Sequence, residues 1–238
     1  MSAREIFAAE GIDVFYGTSQ ILFGVSLSVA EGQTMALLGR NGAGKSTTLK
    51  AIVGIAPPAQ GIVRVLGKEL QGRKPHVIAR AGIGFVPEDR QVFPEHSVDD
   101  NLIIATKMGP DGQDYWNLAR VYEMFPLLVP LKARMAGNLS CGEQQMLTIA
   151  RTLMGNPTGL LLDEPSEGLA PVIVERIGEL LRKLRDMGVT VLLAEQNMHF
   201  CLGIASHATV IDKGQIVYRD TIEALRDNHE VKSRYLAL

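Results

Sequence analysis

Two hydrophobic rhythms share this chain. Residues 12–16, 24–29 and 34–38 alternate or run apolar between Gly and Ser breaks, the period of β-strands. A short helix follows and is stopped by Gly54 and Pro57-Pro58; 61–67 then reads as a strand, and 82–86 as a buried strand ending at Pro87. Between about 97 and 156 the pattern becomes helical. Ser97 to Asp100 and Ser140 to Glu143 both spell S-x-x-[D/E], the reciprocal cap of a helix start. Gly109-Pro110-Asp111-Gly112 predicts a turn between two of these helices. The later helix carries Met146, Ile149, Ala150, Leu153 and Met154 at helical spacing and stops at Gly155-Asn156-Pro157. The last third returns to alternation: a strand over 159–162, a helix opened by Pro171, a strand over 189–194 and a hairpin over 210–217. In that helix Val174, Ile177, Leu180, Leu181, Leu184 and Met187 form one apolar face, closed by Gly188. Such alternation predicts an α/β fold with a mostly parallel sheet covered on both faces.

Composition narrows the setting. With 238 residues, 46% hydrophobic and 21% charged, the chain can bury a substantial core. A net charge of −2 provides no general attraction for nucleic acid. No apolar stretch approaches bilayer length, and the start lacks a secretory layout, so a membrane role is expected only through partners. Cys141 and Cys201 show no metal-type spacing and read as reduced thiols of a cytosolic compartment. The five histidines show no ligand spacing, and Trp116 reads as packing in the helical region.

The candidate chemistry begins with Gly39-Arg40-Asn41-Gly42-Ala43-Gly44-Lys45-Ser46-Thr47, placed between an apolar strand and a helix start. A triphosphate needs converging backbone N–H groups, which Gly-rich backbone permits, and the helix N-terminus adds roughly half a positive charge. Lys45 is positioned to reach the β/γ-phosphates and Ser46 to ligate Mg²⁺. A second element follows 160–162, where Asp163 and Glu164 end a buried strand. In a phosphate site Asp163 would hold the Mg²⁺ shell, and Glu164 would orient or deprotonate the attacking water. Alone, this Asp-Glu-Pro could be a polar turn; paired with the glycine loop it reads as catalytic.

The segment Leu139-Ser140-Cys141-Gly142-Glu143-Gln144-Gln145, followed by Asp163-Glu164-Pro165, resembles the signature and second nucleotide motif of ABC ATPases, over essentially the whole chain. Tyr16-Gly17, Phe85-Val86-Pro87-Glu88, Ser166-Glu167-Gly168-Leu169-Ala170-Pro171 and Glu195-Gln196-Asn197 more narrowly resemble the ATP-binding subunit of branched-chain amino acid importers, the LivF type. The resemblance implies a P-loop NTPase with a RecA-like core, an antiparallel β subdomain and a helical subdomain at about 97–156, all in one domain over 1–238. It implies ATP at two composite sites, where the loop of one chain (Gly39, Asn41, Gly42, Ala43, Gly44, Lys45, Ser46 and Thr47) faces Ser140 and Gly142 of a second ABC ATPase, identical or paralogous. It implies Tyr16 stacked on adenine, and Mg²⁺ held by Ser46, Glu88 and Asp163. Catalysis would fall to Glu164, Lys45 and Gln196. The stretch 88–101, with Val92, Phe93 and Pro94, would receive an ABC permease subunit. A periplasmic binding protein would deliver cargo, with the chain peripheral on the cytoplasmic face of the inner membrane.

Four positions depart from the general ABC pattern. Glu88 stands where Gln is usual, Gln196 where a switch His contacts the γ-phosphate, and Ala170 where an Asp bonds across the dimer. The narrower family shares those three. Cys141 replaces the signature Gly, and either weakens the site or is a tolerated small substitution. The expected function is ATP hydrolysis that powers an importer of branched-chain or related amino acids. Urea or short-amide import, a soluble iron–sulfur assembly ATPase and a weak nucleotide-binding regulatory subunit are the alternatives.

Overall fold

A computed structural model describes residues 4–236. The strands are β1 (Glu5–Tyr16), β2 (Ser19–Ala30), β3 (Thr34–Leu38), β4 (Gln60–Val65), β5 (Lys68–Glu69), β6 (Ile83–Val86), β7 (Gly159–Asp163), β8 (Thr190–Glu195), β9 (His207–Asp212) and β10 (Gln215–Thr221). The helices that matter here are α1 (Lys45–Ile52), α2 (Pro75–Arg80), α3 (Val98–Ile104), α4 (Leu118–Met124), α5 (Cys141–Leu153) and α6 (Pro171–Asp186). Two sheets result. One is antiparallel, in the order β2-β1-β4-β5; the other has six strands in the order β10-β9-β3-β8-β7-β6, parallel except for the β9–β10 hairpin.

The near-continuous apolar runs of β3, β7 and β8 follow from burial on both faces. Ala36, Leu38, Leu160, Leu162, Val191 and Leu193 point into one core, shared with α5 and α6. Met35, Leu37, Leu161, Leu192 and Ala194 point into the other, shared with α1 and the antiparallel sheet. Alternate residues of each strand thus serve opposite cores.

Both anticipated caps are present as complete capping boxes, at Ser97 with Asp100 and at Ser140 with Glu143. The elements between them are helical, with α4 and two 3₁₀ turns. Three details differ from the sequence reading. β1 starts at Glu5 and β2 at Ser19, because β1 pairs with β2 on one side and with β4 on the other. Residues 61–67 are a strand and the tight turn into β5, rather than one strand. Met187 caps α6 and is exposed, since the helix ends one residue before it and its side chain leaves the apolar face.

Candidate active site

The parallel strands β3, β7 and β8 end at one edge of the sheet, and the candidate residues follow from those ends. After β3 the chain turns through 39–44 into α1. Gly44 takes φ +112°, where a Cβ would also sit 2.8 Å from Leu22 Cδ2; a Cβ on Gly39 would meet the Ile211 carbonyl at 2.4 Å. The loop therefore closes tightly against β2 and β9. Lys45, the first residue of α1, folds back so that Nζ donates to the carbonyls of Gly39 (2.8 Å) and Arg40 (3.1 Å).

β7 supplies the carboxylates. Ser46 Oγ donates to Asp163 Oδ1 at 2.9 Å, which joins the glycine loop to β7. Burial lifts the Asp163 pKa to about 6, with the Ser46 bond acting against the rise. Glu164 follows in the left-handed region at φ +48°, and its N–H donates to the Ala194 carbonyl at 3.0 Å. A non-glycine residue there is strained, and the two neighbouring strands hold it. That backbone turn points the Glu164 side chain at Lys45, Oε1 to Nζ 2.9 Å, with both groups buried.

Lys45, Ser46 and Glu164 line a cleft of about 410 Å³, within the roughly 300–1,000 Å³ typical of small-molecule sites, while Gly39, Ala43 and Asp163 do not line it. Its wall is formed by Tyr16, Asn41, Gly42, Gly44, Lys45, Ser46 and Thr47, with Glu88, Glu164 and Glu167 opposite. Tyr16 lines the cleft and is half-exposed. No group of three His, Cys, Asp or Glu side chains among the described residues forms a ready metal cage. The donor set suits Mg²⁺ even so, since that ion uses one or two carboxylates plus substrate phosphates and keeps several waters.

Other candidates lie elsewhere. Ser140 and Gly142 start α5 and do not line this cleft. Ser140 Oγ accepts from Glu143 N, and Cys141 beside it is exposed. Gln196 is exposed just beyond β8. Two carboxylates with no role in the sequence reading also belong to this region. Glu167 lines the cleft, and burial and the neighbouring Glu164 raise its pKa. Glu195 is buried, and burial pushes its pKa up to about 7. The available signal for Glu195 was a charged residue ending an apolar strand.

Residues 22–167 match the family described as ABC transporter. The chain belongs to the ABC transporter family. This ABC ATPase is 44% identical over 226 residues to the high-affinity branched-chain amino acid transport ATP-binding protein BraG of Pseudomonas aeruginosa, covering 94% of this chain and 97% of that protein. It is 34% identical to a probable branched-chain amino acid transport ATP-binding protein LivF of Archaeoglobus fulgidus, over 90% of this chain and 92% of that one. Among solved structures it is similar to the ADP conformation of an ATP-binding cassette of an ABC transporter, with TM-score 0.82 and 28% identity over 96% of this chain and 97% of that one. The P-loop fold expected from the motifs is thus present, and the protein is an ATP-binding, ATP-hydrolysing subunit of the ABC class. No helix among the described residues is long and apolar enough to cross a membrane.

Proposed function

We infer that this chain powers an importer of branched-chain or related amino acids by hydrolysing ATP at a site shared with a second ABC ATPase. The observation that carries the reading is the buried Lys45–Glu164 pair at the mouth of the glycine loop, in a chain 44% identical to BraG over nearly its full length. ATP phosphates would take over Lys45 as their anionic contact, which releases Glu164 to orient the attacking water and accept its proton. The loop amides and Lys45 would stabilise the charge that spreads over the transferred phosphoryl oxygens. Ser46 and Asp163 would hold Mg²⁺, with Glu88 completing the shell, and the ion would neutralise the phosphate oxygens. Tyr16 would stack on the base. Gln196, an amide that donates but does not shuttle a proton, would sense the γ-phosphate.

Ser140, Gly142 and the free amides of the first turn of α5 form a helix N-terminus suited to an anion that arrives from outside. A second subunit's γ-phosphate fits that description, so ATP would hold two subunits together and hydrolysis would let them part. Phe93, half-exposed on the 88–101 stretch, would with Val92 and Pro94 offer the permease an apolar landing surface. Membrane attachment would be peripheral, through those permeases, on the cytoplasmic face, with a periplasmic binding protein supplying cargo. We read 1–238 as one domain whose 97–156 part carries the signature.

Copurification with expressed neighbours tests the assignment. Two membrane permeases and a paralogous ATPase should remain with the tagged chain, and ATP turnover should vanish in Lys45→Ala. Retention of soluble scaffold proteins alone would overturn the transport reading.

A further inference from the structure

Glu195 ends β8 between the two strands that carry the chemistry. Its register partner in β3 is Leu38, the residue before Gly39, and Ala194 pairs with Asp163 of β7. The side chain is 1% exposed, and no ion pair among the described residues includes it. Burying a carboxylate away from a cation is costly, and an apolar residue would serve stability better. What it does touch is specific: Oε1 accepts the Ser166 N–H at 3.1 Å.

Ser166 lies in the turn that carries Glu164. The turn closes on itself through Glu167 N–H to the Glu164 carbonyl at 3.1 Å, and Glu164 N–H is tied to Ala194 at 3.0 Å. These two bonds fix the near end of the turn; the Ser166 bond fixes its crest against β8. Without it, a strained left-handed Glu164 could relax and swing its carboxylate.

We propose that Glu195 is a positioning residue for ATP hydrolysis, holding the 164–167 turn through the Ser166 N–H so that the Glu164 carboxylate stays aimed into the nucleotide cleft. The inference rests on the ATPase reading above. Because Gln196 follows directly, the phosphate-sensing side chain and the catalytic turn share one anchor at the end of β8.

The test compares steady-state hydrolysis of Mg²⁺-ATP by the complex of the full chain with its partner ATPase and permeases, carrying wild type, Glu195→Ala or Glu195→Gln, together with amide exchange over 164–167. Misaimed chemistry should lower kcat about ten-fold or more in Glu195→Ala, with KM for ATP within about two-fold. Glu195→Gln, whose amide oxygen still accepts the Ser166 N–H, should return kcat to within about three-fold of wild type. Exchange at Ser166 should quicken in the Ala variant and not in the Gln variant. A wild-type rate in Glu195→Ala overturns the inference, as does an equal loss of kcat, KM and melting temperature in both variants. Absence of hydrolysis by the wild-type chain in the presence of its partner ATPase and permeases would overturn the ATPase reading itself, a result distinct from either.

Discussion

Lys45 Nζ stands 2.9 Å from Glu164 Oε1 inside the nucleotide cleft, so the phosphate-binding cation is paired with the candidate base. The two functions compete for one contact. Glu164→Gln removes the competing charge while leaving the shape of the turn. It should tighten ATP binding by about ten-fold, equivalent to about 1.4 kcal/mol, and slow turnover by roughly 10²-fold or more through loss of the general base. Nucleotide titration beside an ATPase assay reads both effects. ATP affinity equal to wild type would show that the pair exerts no competition.

Glu88, Glu164 and Glu167 all face the cleft, with Asp163 bonded to Ser46 beside it. Phosphates entering there meet carboxylates, and Lys45 is the one cation among the lining residues. Binding should consequently depend strongly on Mg²⁺. Removing one charge in Glu88→Gln should narrow the ratio of ATP affinities with and without Mg²⁺ by about three- to ten-fold, a Coulomb effect at a partly solvated site. Equal ratios in the two proteins would remove the role of Glu88.

How far the chain could be read before its structure depends on the range of each interaction. The glycine loop, the strand behind Asp163 and both capping boxes are local, written in three to nine consecutive residues, and were legible. The two-sided burial of β3, β7 and β8 also showed, as unbroken apolar runs. The Lys45–Glu164 contact did not. It joins residues far apart in sequence and depends on Glu164 adopting φ +48°, a conformation that its side chain does not announce. Glu195 was hidden for a similar reason, since it accepts from a backbone N–H 29 residues away, at Ser166, besides its hydrogen bond with the nearby Asn197 backbone. Met187 continued a helical face in the sequence, yet sits beyond the last turn of α6.

Ser140 closes both arms of its capping box: Oγ accepts from Glu143 N, and Ser140 N–H donates to Glu143 Oε2 at 2.7 Å. Ser140→Ala should cost about 1 kcal/mol and lower Tm by roughly 2–4 °C. Ser140→Asp separates the cap from the phosphate contact. Aspartate still accepts from Glu143 N–H but cannot replace the Ser140 Oγ–H bond to Glu143 Oε2 at 2.8 Å, so it should lose about as much stability as Ser140→Ala, while its charge also repels a phosphate brought by a second subunit. ATP-dependent association, followed by light scattering, should therefore fail in Ser140→Asp and be weakened less in Ser140→Ala, at similar Tm. Normal association of that variant would place the composite contact elsewhere.

Glu195 also gives the protein a pH signature. Burial raises its pKa from 4.5 to about 7 in the folded chain. The folded state then holds the proton more tightly than the unfolded state does. The resulting stability is fully present below about pH 4.5 and is lost as pH rises through about 7, a contribution on the order of 3 kcal/mol. Asp163, moved from 3.8 to about 6, acts with the same sign and at lower pH. Glu195→Gln, neutral at every pH, should remove the upper part of that slope and leave the lower part. Denaturant unfolding of the nucleotide-free protein at pH 5, 6, 7 and 8 checks this: the variant should gain on wild type between pH 5 and 7, and the gain should level off toward pH 8. Parallel stability curves would mean that the Glu195 carboxylate meets solvent or a cation in solution.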